Sequence, residues 1–357
     1  MLKFFKSYIF TALAVVAGLS STSCNEPMFD SEGDCEVTHT IRFRYERNLK
    51  WADAFPSEVN SVNLYVFDSN GRFVKEYLGR GEALSSSDYG IELDLPVGSY
   101  RFLAWCGLEN DGVEMESFTV PQPVAGVTTI EEMTCSLNTE RESRAEGAAY
   151  SDTQLRFLYH GYLEATLEDH HDGRHYEYTM FLTKDTNHIR VILHELGSDS
   201  NMNEHDYDFT IEAANGVLGY DNNPLGNEVI TYRPWWQDVS ELGVGKVESE
   251  EGIQFVTGVY ADLTTSRMMV SQDMQLTIRN HTTQEEIISV PLIQYALLFK
   301  KYYESTYRHT MGEQEFLDRE DEYVLTFFLL NGKWQETILQ IHSWRIVRQN
   351  HELGWQR

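Results

Sequence analysis

The chain is short of the residue types on which many functions depend. Basic residues are scarce: 28 Lys and Arg stand against 56 Asp and Glu in 357 residues, a formal net charge of −28. Binding nucleic acid needs clustered Lys and Arg to displace counterions from phosphates, so nucleic acid is excluded as a partner. The acidity fits solubility in an exposed compartment. There is no Gly-rich phosphate loop, no Gly-x-Ser-x-Gly elbow, no His-Glu-x-x-His and no Cys-x-x-Cys, and no nucleophile with a base or pair of carboxylates stands out. No enzyme, cofactor or metal site is expected. Helical periodicity is confined to Ile293–Tyr303 and Glu313–Arg319, which leaves a mainly β fold.

Long apolar runs are also missing, apart from one at the start. Lys3 and Lys6 precede the apolar Tyr8–Leu19, and the small residues Ser21-Thr22-Ser23 lead to Cys24. This is the pattern of a secretion signal over residues 1–23, too short and wrongly flanked for a transmembrane helix. A cysteine directly after such a segment resembles the lipobox of bacterial lipoproteins, which implies a diacylated, palmitate-type anchor on Cys24 at the outer membrane; Ser21 stands where that motif usually has leucine. Each buried methylene adds about 0.8 kcal/mol, so two or three acyl chains hold where one does so marginally. Residues 24–35 read as an acidic tether.

Cysteine is sparse as well. With Cys24 set aside, Cys35, Cys106 and Cys135 remain. An oxidising compartment lets one pair bridge and leaves one thiol over, in any of three pairings, or none bridges. Cys35 with Cys106 is favoured, because Cys35 opens the first strand and Cys106 closes a core strand.

What the chain has in quantity is two-residue alternation. Val62, Leu64 and Val66 alternate with Asn63, Tyr65 and Phe67, and Asp68-Ser69-Asn70-Gly71 follows as a turn. The pattern predicts a hairpin strand with one face in a core, and Asn70 and Gly71 tolerate the positive φ of its turn. Ile41, Phe43 and Tyr45, then Ile91, Leu93 and Leu95, then Tyr100, Phe102, Ala104 and Cys106 alternate in the same way, as half-buried antiparallel strands do. Ser136–Asp152 is polar without apolar period and reads as a loop. Leu155–Leu167, Tyr176–Leu193, Phe209–Ile211, Met274–Ile278 with Ile287–Leu292, and Ile338–Val347 after Asn331-Gly332 read as further strands, with Tyr323–Leu330 a central one. Two tandem β-sandwiches are expected, over residues 36–172 and 173–357.

Local clusters suggest little chemistry. His170, His171 and His175 contain metal-ligand types, but they sit in a turn with no matching carboxylate or cysteine. Asp68-Ser69-Asn70-Gly71 lacks most ligand positions of a calcium loop. Trp235-Trp236 beside Pro234 reads as a cap on a core, with a sugar-stacking platform as the alternative.

An ordered set of stretches carries a resemblance. Asp34-Cys35, Ala52–Phe55, Val62–Gly71, Leu95–Leu108, Tyr159-His160-Gly161, Leu182–Val191, Thr231–Pro234 and Phe316–Tyr323 together resemble the FimB-like and minor-fimbrium anchor subunits of type V fimbriae in Gram-negative gut and oral bacteria. The resemblance implies two transthyretin-like β-sandwiches, a lipidated N-terminus and a place at the base of a fimbrium. In that family shaft subunits lose their first strand to an arginine-specific protease, and the groove so opened accepts the C-terminal strand of the next subunit. An anchor keeps its first strand, here Val37–Tyr45, and growth stops; strand addition is the mechanism. Ser266-Arg267-Met268-Met269 departs from the family's Thr-x-Arg-Leu type of segment. The implied partners are a shaft subunit and the outer membrane. An accessory or tip subunit of the same fold, or a surface glycan-binding lipoprotein, is the alternative.

Overall fold

The computed structural model of the chain describes residues 37–109, 117–142, 147–168, 174–196, 202–244, 254–341 and 344–349. Cys24, Cys35, His170, His171, the signal, the tether and the boundary expected at residue 172 lie outside them. The protein is mainly β. A seven-stranded sheet has the order β3 (Phe73–Arg80), β2 (Ser61–Asp68), β5 (Gly98–Cys106), β10 (Tyr159–Leu167), β11 (His175–Lys184), β1 (Thr38–Arg44) and β4 (Gly90–Glu92). One six-stranded sheet runs β16 (Trp236–Val244), β17 (Gln254–Ser266), β12 (Thr186–Glu195), β20 (Glu322–Leu330), β21 (Lys333–Ile341), β22 (Trp344–Gln349). A second runs β19 (Glu286–Pro291), β18 (Gln275–Asn280), β13 (Tyr207–Ala213), β15 (Ile230–Tyr232), β9 (Ala149–Ser151), β8 (Glu140–Arg141). A small sheet holds β14 (Val217–Gly219), β7 (Thr134–Leu137) and β6 (Phe118–Thr119). Helices are α1 (Phe55–Glu58), α2 (Leu292–Tyr307) and α3 (Glu313–Arg319).

By its contacts the chain divides into two units, His39–Glu168 with Glu177–Arg357, and Met1–Thr38 with Asp169–Tyr176. In the smaller unit the Thr38 N–H donates to the Arg174 carbonyl at 3.3 Å, and Thr38 Oγ1 lies 2.5 Å from His175 Nδ1. All else below concerns the larger unit.

The expected β2–β3 hairpin is present, with Asp68 closing its turn. Its Oδ1 accepts from the Asn70 and Arg72 N–H groups at 2.8 and 2.9 Å. Gly71, with φ 75°, and not Asn70, takes the positive φ. The carboxylate is spent on backbone donors, as in an Asx-turn, which agrees with reading the stretch as a hairpin turn.

The facing of β2 differs from expectation. Val62, Leu64 and Val66 enter a smaller core with Ile41, Phe43, Phe102, Ala104 and Cys106. Tyr65 and Phe67, expected on the less buried side, are 4% and 0% exposed and belong to a larger core. The seven-stranded sheet therefore carries packed side chains on both faces. Its inner face is closed by its own curl: Lys75 Nζ on β3 lies 3.2 Å from Asp94 just after β4, and the Asp94 N–H donates to Tyr77 Oη at 2.9 Å. Its outer face meets Phe118, Ile130, Met133 and Leu137.

Other departures are local. The Ser136–Asp152 segment, expected as a loop, holds the end of β7, β8 and β9, with β9 parallel to β15. Strands of two or three residues are too short to show a period. Helix α2 extends the expected Ile293–Tyr303 and stops at Arg308, whose left-handed φ of 53° ends the hydrogen-bond ladder; α3 spans the expected residues. Strand β20 is central, parallel to β12 and antiparallel to β21, which accounts for a run of apolar residues over Tyr323–Leu330 broken only by Thr326. The β11 strand pairs with β10 in the seven-stranded sheet, and the chain passes to the six-stranded sheet at Asp185.

Candidate functional site

For a protein without a catalytic motif, the sheet edges and chain ends are the places to look. At the N-terminal end, β1 is an interior strand. Thr40, Ile41 and Arg42 pair with Glu92, Ile91 and Gly90 on β4, and β11 flanks the other side. Ile41, Phe43 and Tyr45 are buried, and Arg42 donates to Glu177 Oε1 from Nε at 3.1 Å. The expected first strand, Val37–Tyr45, is thus observed as Thr38–Arg44 with a neighbouring strand on each side.

At the C-terminal end, Asn331 and Gly332 take φ 52° and 72°, as a two-residue primed turn requires. The Gly332 N–H donates to the Glu195 carboxylate at 3.3 Å. The Ile338–Val347 stretch, expected as one strand, is two. Ile338 pairs with Val347 and Ile341 with Trp344, in the antiparallel β21–β22 hairpin. This reversal explains why the stretch lacks clean alternation: two half-strands are read in opposite directions. β22 ends the sheet, so among the described residues one side of its backbone carries no strand partner.

Between these ends lies a polar junction where the chain crosses from β11 to β12. Lys184 pairs with Glu58 Oε2 at 3.4 Å and, more closely, with Asp321, and its Nζ sits 3.6 Å from the Phe157 ring centroid. Asp185 is fully buried; its Oδ1 accepts from Asn222 Nδ2 at 2.8 Å and lies 3.7 Å from Arg267 Nε. Arg267 also donates to Asp318 Oδ1 from Nη2 at 2.7 Å and to the Asn222 carbonyl. Burial raises the Asp185 carboxyl to about 7, against the opposing pull of Arg267 and Asn222. The Ser266–Met269 segment that departs from the family pattern supplies this guanidinium. Sequence reading missed the junction because its charges come from separate segments, each unremarkable alone.

The Tyr159-His160-Gly161 stretch has a residue-by-residue account. Tyr159 Oη donates to Glu58 at 3.0 Å, and His160 Nε2 donates to the Tyr220 carbonyl at 2.8 Å. Burial lowers His160 to about 4, so the ring is neutral. A Cβ at Gly161 would lie 2.6 Å from Met180 Sδ and 2.8 Å from Leu182 Cδ2, so a larger residue there requires these two side chains to shift.

The remaining sequence candidates do not converge. Trp235 is half-buried and Trp236 is exposed. No group of His, Cys, Asp or Glu suited to a metal occurs among the described residues. Cys106 and Cys135 are buried thiols, and burial pushes both up in pKa. No helix among the described residues is long and apolar enough to cross a membrane.

Comparison with known proteins follows the same lines. The profile of the family described as fimbrillin-A associated anchor proteins Mfa1 and Mfa2 matches residues 31–350. A candidate adhesin from Bacteroides thetaiotaomicron, of known structure, is 32% identical, with 86% of this chain and 96% of that chain covered at a TM-score of 0.72. A candidate polysaccharide-binding protein from the same organism is 26% identical over 88% and 99% of the two chains, at 0.70. The fimbrial anchor protein Mfa2 from Porphyromonas gingivalis shares the fold at 15% identity, over 87% and 98%, at 0.61. No curated protein matches. With the family profile spanning most of its length, this chain belongs to the fimbrillin-A associated anchor proteins.

Proposed function

We infer that this fimbrial protein is the lipid-held base of a type V fimbrium, tethered to the outer membrane through Cys24 and joined to the last shaft subunit by strand addition. One observation carries the reading. β1 is already paired on both sides within its own sheet, whereas the C-terminal hairpin ends in an edge strand. A subunit of that kind has no vacant first-strand groove, yet offers a backbone edge to a partner, which is the asymmetry that terminates a strand-exchange polymer. The two expected domains belong to the same proposal, as does a Cys35–Cys106 bridge, which would form by oxidation of the buried Cys106 thiol in an oxidising compartment.

Two experiments test it. Cys24→Ala should move the protein from the membrane to the soluble fraction with its thermal unfolding unchanged, because the tether and the cores lie in separate parts of the chain; retention in the membrane after a salt wash refutes the lipid. Ending the chain at Ile341 removes β22 and leaves β21 in place. This variant should stay cell-bound, at normal abundance, while shaft fimbriae are shed into the medium. Fimbriae that remain attached to cells carrying it would rule out β22 as the joining strand.

A further inference from the structure

Where the chain leaves β11, one buried ammonium faces two carboxylates. The Lys184 side chain is 6% exposed, and its Nζ meets Asp321 Oδ2 and, at 3.4 Å, Glu58 Oε2. Tyr159 Oη donates to that same Glu58 oxygen at 3.0 Å. The Phe157 ring covers Nζ on another side, and the buried Tyr159 ring has its centroid 6.0 Å away. An ion pair needs one carboxylate. Here a second, Glu58, is held within reach of the ammonium by a tyrosine hydroxyl. The backbones that carry the three groups are fixed as well. Lys184 closes β11 opposite Tyr159, and the Asp185 N–H donates to the Leu158 carbonyl at 2.7 Å. The Asp321 carbonyl accepts from the His188 N–H at 2.7 Å, and the Glu58 N–H donates to the Ala54 carbonyl at 3.0 Å.

We propose that Lys184 and Asp321 condense to an isopeptide bond, with Glu58 moving the proton. The Lys184 ammonium gives one proton to the Asp321 carboxylate, and its freed lone pair attacks Asp321 Cγ. Glu58 takes a second proton from the nitrogen of the tetrahedral adduct and hands it to the Asp321 hydroxyl, which leaves as water. One C–N bond forms, one C–O bond breaks, and Glu58 ends as the carboxylate it began as. No cofactor or oxidant enters the balance. An amine and an acid held in contact react as if at an effective concentration of about 10⁵–10⁸ M, which favours condensation. The amide also replaces a charge pair whose withdrawal from water is costly. The Asp321 and Glu58 side chains are 26% and 29% exposed, so the released water has a way out. The product is a covalent chord across 137 positions, from the end of β11 to the residue before β20. A pull on β22 would then reach the seven-stranded sheet without passing through residues 185–320. That use of the bond rests on the anchoring role, whereas its chemistry does not.

The test is a tryptic digest of the folded, full-length protein after denaturation, read by tandem mass spectrometry. Trypsin does not cut after an acylated lysine, so the bond yields a branched peptide joining residues 175–190 to residues 320–333, lighter by one water than the two together. Without the bond, residues 175–184 and 185–190 come off as separate peptides. Glu58→Gln keeps the Lys184–Asp321 pair and should slow branch formation by about 10²–10⁴-fold. Lys184→Arg keeps the positive charge and Asp321→Ala removes the carboxyl, and neither should give a branch; thermal unfolding run alongside shows that each variant is folded. Folded wild-type protein that yields only the separate peptides after prolonged incubation overturns the proposal. So does a branch at the wild-type rate in Glu58→Gln, which would take the proton away from Glu58. Attachment of fimbriae does not enter this readout, so a missing bond leaves the anchoring proposal standing.

Discussion

Leu64→Ala and Phe67→Ala should each destabilise the protein severely, by about 2–5 and about 3–5 kcal/mol, although the two side chains leave β2 on opposite faces. Both are 0% exposed, Leu64 in the smaller core and Phe67 in the larger. Truncating either removes transfer free energy and leaves a cavity that neighbours on a paired strand cannot collapse to fill. Asn63→Ala is the contrast on the Phe67 face. Asn63 donates to Glu76 at 3.1 Å and accepts from Arg80 Nη2 at 2.9 Å, so its loss costs on the order of 1.5–3 kcal/mol, the worth of a hydrogen bond to a charged group. Urea titrations of the three variants decide the matter. A Phe67→Ala variant no weaker than Asn63→Ala would mean that the outer face of the seven-stranded sheet is not a core.

That outer face marks the limit of what the sequence makes legible. Alternation locates β2 because a strand's side chains change sides at every residue, and Asp68 to Gly71 locate its turn through local backbone needs. Alternation alone does not say whether Tyr65 and Phe67 face water or a second layer, since aromatic residues suit both. The Phe118, Ile130 and Met133 side chains that cover this face arrive from a distant stretch. Helix α3 is legible for the same local reason that β2 is. The C-terminal reversal is half legible: Asn331-Gly332 marks the turn before β21, while no Asn-Gly or Asp-Gly signal separates β21 from β22.

The polar junction yields the other large effect, and its sign depends on pH. Arg267→Met should cost about 3–5 kcal/mol near pH 8, because it leaves the buried Asp185 without its guanidinium and Asp318 with only Gln314 as a donor. Asp185 keeps its proton in the folded protein up to about pH 7, whereas in the unfolded chain it ionises near the ordinary value of 3.8. The folded state therefore binds more protons between those limits, and stability falls as pH rises through them. This contribution is fully present below the unfolded-chain pKa and lost as pH passes about 7. The Arg267→Met penalty should accordingly shrink at pH 5, where Asp185 is neutral and needs no counter-charge. Asp185→Asn should match the wild type more closely at pH 5 than at pH 8, where the amide avoids the cost of a buried charge and the variant is the more stable of the two. In the double variant Arg267→Met with Asp185→Asn, part of the pH 8 loss should return, since the uncompensated carboxylate has gone with its partner. Urea titrations at the two pH values separate these outcomes. An Arg267→Met penalty that is the same at pH 5 and pH 8 would mean that the guanidinium works by packing and by its bond to Asp318, and that Asp185 does not carry the charge it answers.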